Sequence, residues 1–115
     1  MKKKGSQISL IDMDTMHTVF GKNQAAILEY LVSFVEITSK LLNNIEHAIQ
    51  EKNETVLTDY FHQLKGSVGS IGFKKMTKLC EKTEEKITQS DWVSAGQLCR
   101  EMEQILKQLQ VELKN

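Results

Sequence analysis

The sequence contains no proline and only six glycines in 115 residues. Turn-rich β folds use these two residues at many of their turns, whereas long helices need neither in their interiors. Their scarcity disfavours a β-sandwich or barrel and favours uninterrupted helices. Apolar residues make up 40% of the chain, enough for one domain to bury a core without disulfide bonds or metal ions.

The chain also lacks a net charge, because fifteen basic residues balance fifteen acidic ones. A domain that binds DNA or RNA through its phosphates usually carries a clear excess of basic residues. We therefore expect no nucleic-acid partner.

Only two cysteines, Cys80 and Cys99, are present. Their separation matches neither a metal knuckle nor a redox pair, and both fall on apolar helical stripes. We predict that both are buried, reduced thiols. A disulfide bond would need Cα atoms within about 7 Å of each other, which a sequence cannot establish.

A long hydrophobic run is missing as well. The best candidate, Tyr30 to Ile45, is interrupted by Glu36 and Lys40 and is shorter than the ~20 residues that a membrane span needs. Residues 1–4 lack the apolar run of a signal peptide. We expect a cytoplasmic domain without membrane contact of its own. It could be free-standing or the tail of a larger membrane-anchored protein.

The strongest pattern in the chain is an apolar stripe with helical spacing between about Asn23 or Gln24 and Glu51. Its members are separated by three or four residues: Leu28, Leu31, Val35, Thr38, Leu42, Ile45 and Ile49. This spacing predicts a bundle helix of about 40 Å. Further helices are predicted at about Asp12 to Phe20, Glu54 to Ser70, Phe73 to Gln89 and Asp91 to Leu113.

Residues that can cap or end helices stand at these boundaries: Ser9 or Asp12, Gly21, Asn53, Gly72 and Asp91. The predicted fold is all-α: an antiparallel up-down-up-down four-helix bundle with the short N-terminal helix as a lid at one end. Residues 1–8 are predicted to form a flexible N-terminal segment and residues 9–115 a single domain.

The third predicted helix contains the candidate chemistry. At about 100° per residue, His62, Lys65 and Gly66 share one patch. The apolar residues of this helix lie on a different stripe: Leu57, Phe61, Leu64, Val68 and Ile71. His62 lies roughly 160–200° from Leu64 and should point away from the core. A neutral, exposed imidazole is a competent nucleophile near pH 7.

Two glycines, Gly66 and Gly69, lie on the histidine's side of this helix. Each costs about 1 kcal/mol relative to alanine in a helix interior, so their presence needs a reason. A bare backbone would let another protein approach the imidazole of His62. Lys65 could then neutralise negative charge on the ring or on an incoming group.

Several catalytic motifs are absent. The chain has no G-x-x-x-x-G-K-[ST] loop, no H-E-x-x-H and no G-x-S-x-G. We therefore expect no ATP site and no oxyanion hole. A reactive histidine without a catalytic apparatus suits a group carrier, rather than an enzyme, whose partners supply the chemistry.

The segment from His62 to Ser67, followed by Gly72 and then by Met76, Cys80 and Glu84, resembles the histidine phosphotransfer (HPt) domain of bacterial two-component phosphorelays. The resemblance implies that His62 accepts a phosphoryl group through Nε2 from a receiver-domain aspartate and passes it to another receiver. It implies three supporting roles: Lys65 assists the phosphoryl group, Gly66 provides clearance, and Glu84 hydrogen-bonds the other ring nitrogen of His62. Glu84 could instead be an ordinary surface acid that pairs with neighbouring lysines. Two residues depart from the family's pattern: Thr83 replaces a usual leucine, and Gly69 is an extra glycine.

The resemblance also implies the partners. We expect response-regulator receiver domains, with a hybrid sensor histidine kinase as a further candidate, and a monomeric domain. No cofactor is expected on this chain, because the Mg²⁺ ion belongs to the receiver. The residues expected to contact a partner are Asp59, Gly69, Lys74 and Lys78.

Two surfaces could assist this docking. The fourth helix carries a basic stripe of Lys74, Lys75, Lys78, Lys82 and Lys86, which is either a solvated face or an attraction for an acidic partner. Apolar residues near the lid are either an exposed docking surface or the filling of one end of the bundle: Ile8, Leu10, Ile11 and Met16.

Two other hypotheses remain open. The domain could be a helical interaction module without chemistry, using the exposed face of the third and fourth helices. It could instead bind a metal, because Asp14 with His17 and Asp59 with His62 each place a carboxylate one turn from an imidazole. We expect His17 and His47 to be structural or solvated.

Overall fold

The computed structural model describes residues 8–114. They form five helices: α1 (Met13–Phe20), α2 (Gln24–Gln50), α3 (Glu54–Ser70), α4 (Lys74–Thr88) and α5 (Trp92–Lys114). No strand occurs in this range. All five predicted helices are present, with boundaries within one residue of the prediction. None of the five combines the length and the hydropathy that a bilayer crossing requires.

Side chains cap the start of four helices. In each case a carboxylate or amide oxygen accepts a hydrogen bond from a backbone N–H of the first turn: Asp12 from Asp14, Asn23 from Ala26, Asn53 from Val56 and Asp91 from Ser94. Of the two candidates for α1, the structure therefore selects Asp12. The hydrogen bonds from Ser94 lower the pKa of the Asp91 carboxyl. Such caps each contribute about 0.5–2 kcal/mol, which explains why the boundaries can be read from the sequence.

The four long helices pack in a closed ring. Helix α2 packs on α3 and α5, α4 packs on the same two helices, and α1 rests on α2. The predicted stripe of α2 is buried except for Leu28, which is half-buried. The core of the ring includes large, fully buried side chains from every helix, among them Met16, Leu31, Phe61, Met76 and Met102. Because α3 is held on both sides, its outer face has a fixed orientation.

The segment before α1 is part of the core. Ile8, Ile11 and Met16 are buried, and Leu10 is half-buried against them. An exposed docking surface made of these residues is therefore wrong, and they fill one end of the bundle. Ile8 was predicted to lie in the flexible segment 1–8, but its side chain is buried; residues 1–7 lie outside the described range.

Glu112 near the end of α5 ties this segment down. One of its carboxylate oxygens accepts hydrogen bonds from the backbone N–H groups of Ser9 and Leu10, at 3.0 and 3.3 Å. The other accepts the Ser9 hydroxyl at 2.6 Å. Residues more than a hundred positions apart in sequence are thereby joined.

The turn between α3 and α4 requires glycine at position 72. Its φ is +66°, in the left-handed region, and its carbonyl accepts the backbone N–H of Asp12 at 3.2 Å. A Cβ at this position would lie 2.5 Å from the Cβ of Asp12. Gly72 therefore permits both the turn and the close approach of the lid segment.

The two cysteines are free, buried thiols, as predicted. The sulfur of Cys80 lies 3.9 Å from the sulfur of Met102, and the Cys99 thiol faces the Leu42 carbonyl at 3.8 Å. Burial raises the pKa of each thiol to about 12. Both therefore remain protonated at physiological pH.

Replacing Gly72 by alanine should destabilise the domain by about 1–3 kcal/mol, because the side chain would strain the turn and collide with Asp12. The matched control is Gly69→Ala, in an open part of α3, which should gain about 0.5–1 kcal/mol. Urea unfolding of both variants measures the two effects. Equal stability of the two variants would contradict this account of Gly72.

Because only a thiolate reacts, the native thiols should be alkylated by iodoacetamide at pH 8 about a hundredfold or more slowly than free cysteine. In urea both should react at the ordinary rate. Mass spectrometry of the alkylated chain provides the measurement, and rapid modification of Cys80 or Cys99 in the folded protein would show that the site is open to solvent.

Candidate functional site

The side chain of His62 lies on the outer face of α3. Its neighbours Phe61 and Leu64 are buried, and one helical turn separates residues that share a face, so His62 is directed to solvent. Asp59, Gly66 and Gly69 are exposed on the same helix. The predicted orientation of the imidazole is thus found in the structure.

Lys65 and Glu84 form the polar contact beside the histidine. The ammonium of Lys65 lies 2.9 Å from the Oε1 atom of Glu84, which connects α3 to α4. The two side chains are 41% and 34% exposed, so the ion pair lies at the edge of the helix interface and remains in contact with water. Through this contact, α4 contributes Glu84 to the site.

The partner of Glu84 differs from the one implied by the resemblance. A hydrogen bond from His62 to Glu84 was expected, but within residues 8–114 the carboxylate is paired with Lys65. Lys65 lies one turn beyond His62, on the side of α3 that faces α4. Its long side chain reaches the Glu84 carboxylate across the α3–α4 interface. Sequence alone could not choose between His62 and a neighbouring lysine as the partner of Glu84, because the choice depends on the rotation of α3 relative to α4. The signal available was the opposite charge of the two positions.

The hydrogen bond to Glu84 raises the pKa of the Lys65 ammonium above 10.5, although the partial burial of this side chain acts in the opposite direction. Since the folded-state pKa is raised, the stability that Lys65 gains from the charged Glu84 carboxylate is complete below the ordinary lysine pKa. It is lost only as the pH rises through the higher folded-state value. Lys65 is therefore a permanent cation beside His62 under physiological conditions.

Gly66 and Gly69 are not required by contacts within the described chain. A Cβ added to either would meet no atom within 4 Å, apart from the immediate helix backbone. Both residues have ordinary negative φ, unlike Gly72. The space that they leave open lies outside the domain, on the face that carries His62.

A shallow groove lies between α3 and α4 on the side of Glu84 remote from Gly69. Its lining comes from both helices: Glu54, Leu57, Thr58, Phe61, Glu84, Ile87 and Thr88. The sequence reasoning did not identify this groove. Thr58 and Glu84 connect it with the surroundings of His62, so a molecule on the histidine face can extend into it.

Thr83, the departure from the family's leucine, is fully buried below Glu84. Its hydroxyl donates a 2.6 Å hydrogen bond to the Leu79 carbonyl, one turn back on α4. A buried hydroxyl without a partner would be costly, and this bond satisfies it. The polar residue therefore does not leave an orphaned group under the site.

The basic residues predicted to meet a partner do not all lie beside the histidine. Lys74, Lys75, Lys78 and Lys82 are exposed on α4, and Lys86 is half-buried. Lys74 and Lys75 line a groove with Gly72 and the segment from Ser9 to Asp12, at the lid end. The structure thus joins Lys65 and Glu84 near His62 and places Lys74 next to the lid.

The metal hypothesis receives no support from the described residues. Within 8–114, no group of three or more histidine, cysteine, aspartate or glutamate side chains is arranged to hold an ion. His17 is half-buried in α1, and His47 is exposed on α2.

Comparison with protein-family models matches residues 29–112 to the model described as Hpt domain. The matched range begins in α2 and ends in α5, so it includes His62, Lys65 and Glu84 but not α1. Neither the comparison with curated proteins nor the comparison with solved structures finds a match.

Proposed function

The chain belongs to the Hpt domain family, and on that premise we propose that His62 accepts a phosphoryl group from the aspartyl phosphate of one receiver domain and passes it to another. Domains of this family act as histidine phosphocarriers in phosphorelays. The observation that carries the assignment to His62 is its exposed position on α3, one turn from the cation Lys65 and from the bare backbone of Gly66.

The transfer requires no acid or base from this chain. The lone pair on Nε2 of neutral His62 forms the N–P bond as the P–O bond to the receiver's aspartate breaks in line. The aspartate leaves as a carboxylate, and the proton on Nδ1 stays on the ring, which becomes cationic. The neutral imidazole is itself the nucleophile, so the step needs no base from this chain. Return of the group to a second aspartate reverses the same step.

Lys65 supplies positive charge where the transferred group gathers negative charge. Phosphoryl transfer depends mainly on positioning and on electrostatic stabilisation of the equatorial oxygens. Residues three apart on a helix are neighbours, so the ammonium can reach a group attached to His62. The Mg²⁺ ion that also neutralises this charge belongs to the receiver, and we propose no cofactor and no ATP site for this chain.

The partner surface that we propose is the outer face of α3 with the adjoining edge of α4. It contains Asp59, Gly66 and Gly69, which are exposed, and Lys78 on α4. Lys74 extends it towards the lid. Exposed lysines attract the acidic active site of a receiver and speed the encounter at low ionic strength. A hybrid sensor kinase as an additional partner, a monomeric state and a cytoplasmic location remain predictions.

We further infer that the four long helices run antiparallel, as an up-down-up-down bundle. The Cys99 thiol of α5 contacts Leu42 of α2, whereas Leu113 shares a groove with Val35. Residue numbers therefore fall along α5 as they rise along α2. Short connections between successive helices favour the same arrangement for the other pairs.

Replacing His62 by glutamine should abolish phosphorylation of the domain, because glutamine has no nucleophilic ring nitrogen. The full chain is incubated with phosphorylated receiver domains from its own organism and assayed for acid-labile, base-stable phosphate. His47→Gln, also an exposed histidine, is the matched control and should be labelled like the wild type. If the His62→Gln variant keeps the label, the carrier function is wrong, and the interaction module without chemistry becomes the better hypothesis.

Replacing Gly66 by alanine should have opposite effects on stability and on transfer. Because the new Cβ meets nothing inside the domain, the free energy of unfolding should rise by about 0.5–1 kcal/mol. The same methyl group narrows the approach to His62 and should slow transfer from a receiver severalfold. Unfolding in urea and rapid-quench transfer assays measure the two effects. Unchanged transfer in a stabilised variant would remove the proposed role of Gly66.

A further inference from the structure

We propose that Glu84 holds Lys65 in place until His62 is phosphorylated, and that Lys65 then exchanges the Glu84 carboxylate for the phosphoryl oxygens. Glu84 would be a positioning residue, which acts on the transferred group only through Lys65. The inference rests on the proposed phosphorylation of His62 and adds a means of setting how readily the phosphoryl group is kept or released.

The first observation is that the ion pair is close but open to solvent. The distance of 2.9 Å gives the ammonium a defined position at the edge of the α3–α4 interface. Both side chains remain about one-third or more exposed, and exposed ion pairs contribute little net free energy. Such a pair can order the Lys65 side chain in the resting domain and still be broken at little cost.

Second, phosphorylation of His62 would give Lys65 two anionic neighbours. Glu84 lies across the helix interface, and His62 lies one turn back on the same helix. A phosphoryl group carries up to two negative charges and three acceptor oxygens, whereas the carboxylate carries one charge and two oxygens. The phosphoryl group is therefore the stronger competitor for the ammonium.

The exchange involves no covalent change at either residue. Lys65 stays protonated throughout: the hydrogen bond to Glu84 raises its pKa before the exchange, and the negative charge of the phosphoryl group favours the ammonium afterwards. After the exchange the Glu84 carboxylate has lost its cation. Glu81, another acid on α4, also acts on Lys65 electrostatically. Both acids compete with the phosphoryl group for the Lys65 ammonium, and this competition favours release of the group to the next receiver.

The decisive variant is Glu84→Gln, which removes the charge and keeps the size of the side chain. Glu85→Gln is the matched control, since it removes one charge from an exposed position of the same helix. In the unphosphorylated domain, an NMR titration of the Lys65 side chain should give a lower pKa in Glu84→Gln than in the wild type. The control should give the wild-type pKa.

The second arm repeats this titration after phosphorylation of the full chain with phosphoramidate, a small-molecule donor. Phosphohistidine survives in base, where lysine titrates. The difference in Lys65 pKa between the wild type and Glu84→Gln should now shrink strongly, because the phosphoryl group has become the lysine's partner. An undiminished difference would show that Lys65 stays on Glu84 and would overturn the exchange.

The third arm is kinetic. The initial rate of His62 phosphorylation by phosphoramidate at pH 8 should be about two- to fivefold higher in Glu84→Gln than in the wild type. This factor corresponds to the free energy needed to separate Lys65 from Glu84 in a partly exposed ion pair. Glu85→Gln should match the wild type. In a Lys65→Ala background the gain should vanish, because the two residues act through each other. A rate that falls in Glu84→Gln would mean that Glu84 acts on the imidazole itself and would overturn the inference.

The outcomes separate the two proposals. If neither phosphoramidate nor a phosphorylated receiver domain phosphorylates His62, the carrier function fails and the exchange fails with it. If His62 is phosphorylated but neither the pKa of Lys65 nor the rate responds to Glu84→Gln, only the exchange is refuted. Urea unfolding should leave the stability of Glu84→Gln close to that of the wild type, so a merely structural role cannot produce the expected changes.

Discussion

The site depends on the burial of two apolar side chains on α3. Phe61 and Leu64 flank His62 in sequence and are fully enclosed by the ring of helices. Because His62 lies on the opposite side of the helix from Leu64, its imidazole then points to solvent. Burying one side chain of this size stabilises the folded state by about 1.5–3 kcal/mol. The orientation of His62 is therefore maintained by the packing of Phe61 and Leu64 in the core. The exposed imidazole of His62 is therefore available to a docking partner.

Most of the fold could be predicted from the sequence because its causes are local. The apolar stripe of α2 and the caps Asp12, Asn53 and Asp91 act within one or two helical turns. The motif around His62 is equally local. The burial of Ile8 could not be predicted in this way, because it depends on where a short segment docks on distant parts of the chain, beside Gly72 and Glu112. The apolar residues of that segment are compatible both with an exposed surface and with burial at one end of the bundle.

The ion pair between Lys65 and Glu84 could be predicted only in part. Each residue was identified as part of the site, but the sequence left open whether the Glu84 carboxylate meets His62 or a lysine. Which of two adjacent groups it meets depends on a rotation of α3 against α4 by a fraction of a turn, and side-chain periodicity does not define so small an angle. The glycines show a similar contrast. Gly72 is required by its own φ and by Asp12, whereas nothing inside the domain requires Gly66 or Gly69.

The clamp formed by Glu112 on Ser9 and Leu10 has a consequence for how the domain can be connected to other polypeptide. It brings the first described residues and the last turns of α5 to one end of the molecule, which is 47 Å long and only 23 Å wide. Any chain joined before Ser9 or after Glu112 would leave from that end. The domain could then reorient about this one end. The outer face of α3 would stay accessible to successive partners, because neither connecting segment would pass over it.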